Sequence, residues 1–355
     1  MHVAPKLFLV AVALVLLAAA GLMYVGSSAP GSRELVVYTS VDPEYAEALA
    51  RRFEARTGLA VALRTDSEET KTTGMLNVLR QRKDRPDGDV FWNSELSGTL
   101  VLAKEGLFEP YASPQAAGIP AAFKDAGALW TGFGCRARVL VFNTRRVKKE
   151  DAPASLEVLC EPAWRGRFCM ARPLFGTTRS HLVSLVLALG EERGFELLRK
   201  LRENASAGGT KEWIMPGNSH VRDRVADGTF DAGLTDTDDV FAGQRNGQDV
   251  DLIPLQQTAD WPGVYLIPNT VAVLKGTLHQ EAARRFVDFL LDPETEAWLA
   301  EQGARQIPVR SEVPVPAGMP SLKDFQPAAF DAEALREKLE SLSERIDRLV
   351  RGVER

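Results

Sequence analysis

The sequence predicts an α/β protein of two lobes, each a mixed, mostly parallel sheet flanked by helices. Three observations carry that prediction. Short apolar strand patterns alternate with amphipathic helix patterns from Glu34 onward, as in successive βαβ units. The alternation restarts after Asn143. A β-rich stretch at 264–267 and 270–274, split by Pro268, then offers a path back to the first lobe.

Residues 34–38 read as a strand, Asp42-Pro43 as an N-cap with proline at the first helical position, and Tyr45, Leu49 and Phe53 as one helix face ending at Gly58. A strand at 59–63, a helix at 75–81, a strand at 89–92 and a helix at 96–105 continue the first lobe. The spacing then predicts strands at 138–143 and 167–171, helices at 177–189 and 219–226, and a strand at 230–234. Ala283, Phe286, Val287 and Leu290 recur at helical spacing, and so do Leu335, Leu339, Leu342, Ile346 and Leu349 in the tail. The tail stripe is short for a coiled coil and reads as a terminal helix docked on the body.

The 355 residues, 45% hydrophobic and 26% charged, are enough for a large core and about two domains. The net charge of −5 leaves no basic footprint for nucleic acid. Residues 7–20 are unbroken apolar sequence after Lys6 and end in Ala18-Ala19-Ala20, a secretory signal pattern. The apolar run continues to Val25 and so approaches the roughly 20 residues of a membrane-spanning helix, so an uncleaved anchor is the rival reading. Either way the body is exported, to the periplasm or another extracytoplasmic compartment. Export permits disulfides: Cys160 and Cys169 read either as a bridge or as two buried thiols, and Cys135 as core.

Ligands in α/β sheets bind outside the carboxyl ends of the strands. Polar motifs recur at such ends: Ser40 to Asp42, Asn93 to Glu95, Gly176-Thr177-Thr178, Asn218-Ser219, and Asp236, Asp238 and Asp239. Gly176, Thr177 and Thr178 would open a helix able to hold a phosphate, phosphonate or carboxylate, while threonine and Asn218 are also ordinary caps. Asp42, Glu95, Asp236, Asp238 and Asp239 come from both lobes and could converge on one hard cation or on an ammonium group. Trp92, Trp213 and Trp261 lie beside these motifs as an aromatic wall or as core. No Ser/His or Cys/His pair with catalytic spacing is present, and His181 reads as a helix-surface residue. An enzyme of another class, a metal-dependent hydrolase using the aspartates, stays as the alternative to a binding protein.

Several segments together resemble the exported solute-binding proteins of ABC transporters, in particular the ferric-iron-binding family. They are Val37-Tyr38-Thr39-Ser40, Lys71-Thr72-Thr73-Gly74, Asp89 through Glu95, Gly106-Leu107-Phe108-Glu109-Pro110-Tyr111, Trp130-Thr131-Gly132-Phe133, Pro173 through Thr178, and Ile267-Pro268-Asn269-Thr270. The resemblance implies a two-lobed, type II periplasmic-binding-protein fold with hinges at 138–143 and 264–274. It implies an export segment and spacer at 1–32, lobe 1 at 33–138 and 268–320, lobe 2 at 139–267, and a C-terminal helical segment at 321–355.

It further implies a monomer that closes on a ligand and delivers it to a membrane permease, with no catalytic cofactor. The cargo would be ferric iron or another hard metal ion, with a small anion beside it. In ferric-binding relatives one lobe gives a histidine and a glutamate and the other two adjacent tyrosines. Here Asp42 falls at or near the histidine, Glu95 near the glutamate, and Asp238-Asp239 where the tyrosine pair would stand. Carboxylates in place of phenolates keep a second ligand open. A related branch binds 2-aminoethylphosphonate, whose ammonium would meet Asp238 and Asp239 and whose phosphonate would meet Thr177 and Thr178.

Overall fold

In chain order the elements are β1 (Glu34–Thr39), α1 (Pro43–Thr57), β2 (Ala60–Thr65), α2 (Thr73–Gln81), β3 (Val90–Asn93), α3 (Ser97–Lys104), β4 (Phe108–Glu109), β5 (Thr131–Asn143), β6 (Phe168–Ala171), α4 (Gly176–Leu189), α5 (Glu191–Ser206), β7 (Ile214–Met215), α6 (Asn218–Ala226), β8 (Ala232–Asp236), α7 (Thr237–Arg245), β9 (Val250–Pro254), β10 (Leu266–Leu274), α8 (Gln280–Leu290), α9 (Pro293–Glu301) and α10 (Ala332–Val350), with short 3-10 turns between. They are taken from a computed structural model that describes residues 34–65, 73–83, 86–207, 212–255, 263–303, 305–325, 327 and 332–353. The export segment, Lys71-Thr72 and Trp261 lie outside the described residues. Among the described residues no helix is long and apolar enough to cross a membrane.

The strands join in the order β2-β1-β3-β10-β5-β8-β6-β7, with β4 beside β10 and β9 beside β5. β1 and β3 are parallel, as are β8, β6 and β7, whereas β10 and β5 run antiparallel to their neighbours. The first half of β5 pairs with β10, ending at Ala137 against Leu266. From Arg138 onward it pairs instead with β8 and β9. One thirteen-residue strand therefore belongs to both halves of the sheet. Helix α1 covers the first half by burying Tyr45, Leu49 and Phe53, the face its sequence spacing predicts. Phe53, Trp92, Phe286 and Phe289 meet there with ring centroids 4.9 to 6.3 Å apart.

Two expectations need correction, one helix has no counterpart among the expected elements, and one open choice is decided. β5 begins at Thr131, seven residues before the predicted strand, because its glycines obscure the apolar alternation. Gly134 has φ +42°, which disfavours any side chain, and Asn269 holds its carbonyl at 2.7 Å. Pro268 does not split the second β-rich stretch: β10 runs through it, with a register shift between Pro268 and Asn269. Helix α5 follows directly after Gly190 and buries Phe195, Leu198 and Leu201 at helical spacing, although its first three residues are all charged. Cys160 and Cys169 are unbridged: Cys169 is buried in β6 and Cys160 sits in a 3-10 turn with its thiol toward the Leu156 carbonyl.

Candidate functional site

β8 ends at Asp236, in the N-cap position of α7, so Asp238 and Asp239 occupy that helix's first turn. The positive end of the helix dipole favours acids there. Asp236 does not cap with its side chain. Its carboxylate instead accepts from Arg138 Nη1 at 2.6 Å, Thr177 Oγ1 at 2.7 Å and Asn218 Nδ2 at 3.0 Å. Thr178 Oγ1 donates to Asn218 Oδ1 at 3.2 Å and closes the network. The start of α4, the start of α6 and the end of β8 are thus tied together around one buried carboxylate. Gly176 is the first residue of α4 and sets Thr177 and Thr178 in this position.

Asp236, Asp238 and Asp239 each present a ligand atom such that all three lie within 4.8 Å of one another. Asp239 accepts from Thr235 Oγ1 at 3.0 Å. Burial, followed by Asp238 and Asp236, pushes its carboxyl well above the usual carboxylate range. Asp238 is also raised, by burial and by Asp236 and Asp42, with Arg136 opposing. Crowding and desolvation oppose the charged forms of Asp238 and Asp239, and a bound cation would favour them.

The first half of the sheet contributes less than expected. Asp42 is half-buried at the start of α1, outside the 4.8 Å set, yet close enough to act on both Asp238 and Arg136. Glu95 is turned to another task. Its carboxylate accepts from Ser97 N at 2.6 Å and Gly98 N at 2.8 Å, capping α3, and from Ser97 Oγ at 2.6 Å. Ser180 Oγ of α4 adds a bond at 3.1 Å, so Glu95 joins the two halves of the sheet rather than the acid cluster. Ser40 Oγ serves Asn93 and, at 3.0 Å, Ser94. Trp92 and Trp213 are core residues, packed on Phe133 and Phe168 respectively, and form no aromatic wall. His181 is buried against Tyr265 rather than exposed, and burial with Arg138 nearby lowers its pKa.

Two residues that sequence reasoning passed over dominate the electrostatics. Arg136 and Arg138 stand two apart on β5, on one strand face, with side chains only 10% and 0% exposed. Arg136 Nη1 donates to Asp238 Oδ2 at 3.2 Å, and its Nη2 donates to the Ser94 carbonyl. Burial opposes the charge on Arg136, but Asp238, Asp236 and Asp42 outweigh it and hold the guanidinium above its ordinary pKa. The signal was available: two arginines in an otherwise apolar strand have to be answered by buried acids.

The sheet thus has two halves linked by one shared strand, with polar helix starts gathered beside the link. The chain belongs to the bacterial extracellular solute-binding proteins, whose family description matches residues 100–334. It is 26% identical over 313 residues to the major ferric iron-binding protein of Neisseria meningitidis serogroup A, covering 85% of this chain and 87% of that one. It is similar in fold to iron-bound HitA from Pseudomonas aeruginosa, with a TM-score of 0.77 and 22% identity over 89% of this chain and 99% of that one. AfuA from Actinobacillus pleuropneumoniae, solved with fructose-6-phosphate bound, has a TM-score of 0.71 and 21% identity over 90% and 97% of the two chains. At these identities the structural likenesses establish the fold.

Proposed function

We propose that this chain is the exported solute-receiving component of an ABC importer, and that its cargo is ferric iron or a similarly hard cation. The observation that carries the reading is the acid cluster: Asp238 and Asp239 present oxygens at the start of one helix, within 4.8 Å of Asp236, whose own oxygens accept from Arg138, Thr177 and Asn218. All-oxygen donors suit a hard ion. Asp42 faces the cluster from the other lobe and would complete it on closure, while Glu95 fixes α3 and the lobe contact. The iron-binding relative over most of the chain's length supports the same cargo. On this reading the protein is a carrier rather than an enzyme, delivers to a membrane permease and acts as a monomer. Lobe boundaries near Ala137 and Leu266 are supported by the change of partner along β5.

Competition for Fe(III) against a chelator of known affinity tests the cargo. Tight binding by the wild type that collapses in the Asp238→Asn, Asp239→Asn double variant is expected. Unchanged binding in that variant would refute the cluster as the site.

A second reading has one observation in its favour. Among the described residues, Nε and Nη2 of Arg138 and Nε of Arg136 are buried without hydrogen-bond partners, and Arg138 reaches the Thr177 hydroxyl directly and that of Thr178 through Asn218. Guanidinium groups beside a helix start suit a phosphate or phosphonate. 2-Aminoethylphosphonate would use both the acids and the arginines, and the AfuA neighbour was solved with a phosphorylated ligand. Calorimetry with the phosphonate in the presence of a metal chelator separates the two: heat of binding without metal supports the second reading.

A further inference from the structure

Helix α7 carries the acid cluster at its start, and the face that bears Asp238 continues along it. Asp238, Phe241 and Arg245 are spaced by three and then four residues and share one helix face. Asp238 meets Arg136, in the half of β5 that pairs with β10, at 3.2 Å. Phe241 lies under the guanidinium of Arg305, whose Cζ is 5.8 Å from the ring centroid. Arg245 sets its own guanidinium against Gly303, in the place a Cβ would take. Gly303 and Arg305 belong to lobe 1, because the chain just beyond them joins that half of the sheet through Gln306 with Asn269 and Ile307 with Cys135. Phe241 is only 5% exposed yet stands apart from the continuous apolar core, so part of its cover comes from the other lobe. Arg305 holds φ +46°, a conformation that a side chain disfavours. We propose that Phe241 and Arg305 form a closing contact at the rim of the cleft, outside the ligand site, that holds the lobes together and so sets the affinity for cargo. This rests on the reading of the acid cluster as a site between lobes.

A contact made only between the lobes stabilises the closed form and not the open one. The apparent Kd of a ligand that needs the closed form is its intrinsic Kd divided by the closed fraction. A rim contact therefore scales every affinity by one common factor, whereas contacts inside the site discriminate between ligands. An aromatic ring suits the task, because opening would return its apolar surface to water. Strained backbone of the kind seen at Arg305 persists where the surroundings over-determine it. Glycine at 305 would relieve that strain but remove the guanidinium from the ring.

The test compares wild type, Phe241→Ala and Arg305→Gly, with thermal melts confirming that each folds. Affinities for Fe(III) and Ga(III), each supplied as its nitrilotriacetate complex, are read by competition. Distances between spin labels, one on each lobe, are read in the metal-free proteins. Arg305→Gly should bind both ions about two- to fivefold more weakly, the size of one exposed cation–π contact, without a lower melting temperature. Phe241→Ala should lose about tenfold, as a ring no longer has to be covered on closure. The two ions should lose by the same factor in each variant. If wild type is already closed without metal, the loss appears instead as a wider distance between the labels in both variants. If Fe(III) binds wild type and neither affinity nor distance changes, or if the variants bind more tightly, the proposal falls while the cargo reading stands. If Fe(III) does not bind wild type, the cargo reading falls and the distances alone decide: widening in both variants supports the contact, and no widening overturns it.

Discussion

At the residue scale, the acids of this site are set by burial. Asp239 keeps its proton in the native state to a pH at which an unfolded chain has already lost it, because burial and two neighbouring acids oppose its charge. Between the ordinary carboxylate value and this raised value the native state binds more protons, so stability falls as pH rises through that window. Asp239→Asn should therefore melt higher than wild type at neutral pH, with the two converging below the ordinary carboxylate range. Melting curves across that range check it, and a penalty at neutral pH would contradict it. Arg138 and Asp236 make the opposite case, a fully buried pair at 2.6 Å. Arg138→Met leaves the buried Asp236 with Thr177, Asn218 and Arg136 at 3.8 Å but without its close ion pair, and should lose about 3 kcal/mol in urea titrations. Replacing Asp236 by Leu in the same chain should recover part of that loss.

Elements are positioned by close approaches that only small residues allow. β8 must lie tightly under α6 for Asp236 to reach Asn218, and Gly233 provides the room. A Cβ there would stand 2.4 Å from Val221 Cγ1 and 3.2 Å from the Cys169 carbonyl. Gly233→Ala should destabilise by about 1–3 kcal/mol through overpacking, measured by denaturant titration. Val221→Ala in the same background should return some of it. At Gly134 in β5 the reason is instead its positive φ. Both glycines interrupt the apolar pattern in the sequence, and they do so where the sheet is most constrained.

Over the whole molecule, α10 joins what the sheet divides. Its apolar stripe, Leu335, Leu339, Leu342, Ile346 and Leu349, is buried as its spacing predicts. Along the stripe it touches both halves. Glu337 and Glu340 reach Lys104 and Arg80 at 3.4 and 3.7 Å, while Ser343 and Asp347 meet Arg179 and Arg172 at 3.2 and 3.0 Å. The first two pairs are largely exposed, so Glu337→Gln with Glu340→Gln should change stability by less than about 1 kcal/mol. Leu339→Ala should cost about 2–5 kcal/mol in the same assay. The reverse order would mean that charge rather than burial holds the helix.

Local patterning determined most of the fold class. Strand and helix periods, the Asp42-Pro43 start and the tail stripe each depend on which face of one element is apolar, and that is written in consecutive residues. The family likeness was legible for the same reason, in short motifs kept in order along the chain. The cluster of Asp236, Asp238 and Asp239 was also visible, since all three lie within one turn. Tertiary structure decided what those acids face. Arg136 reaches Asp238 across 102 residues of chain and Arg138 reaches Asp236 across 98, so no window of sequence contains both partners. Glu95 shows the same limit from the other side. Its place at a strand end marked it as a ligand, but a carboxylate has few lone pairs, and Ser97, Gly98 and Ser180 take those that a cation would need.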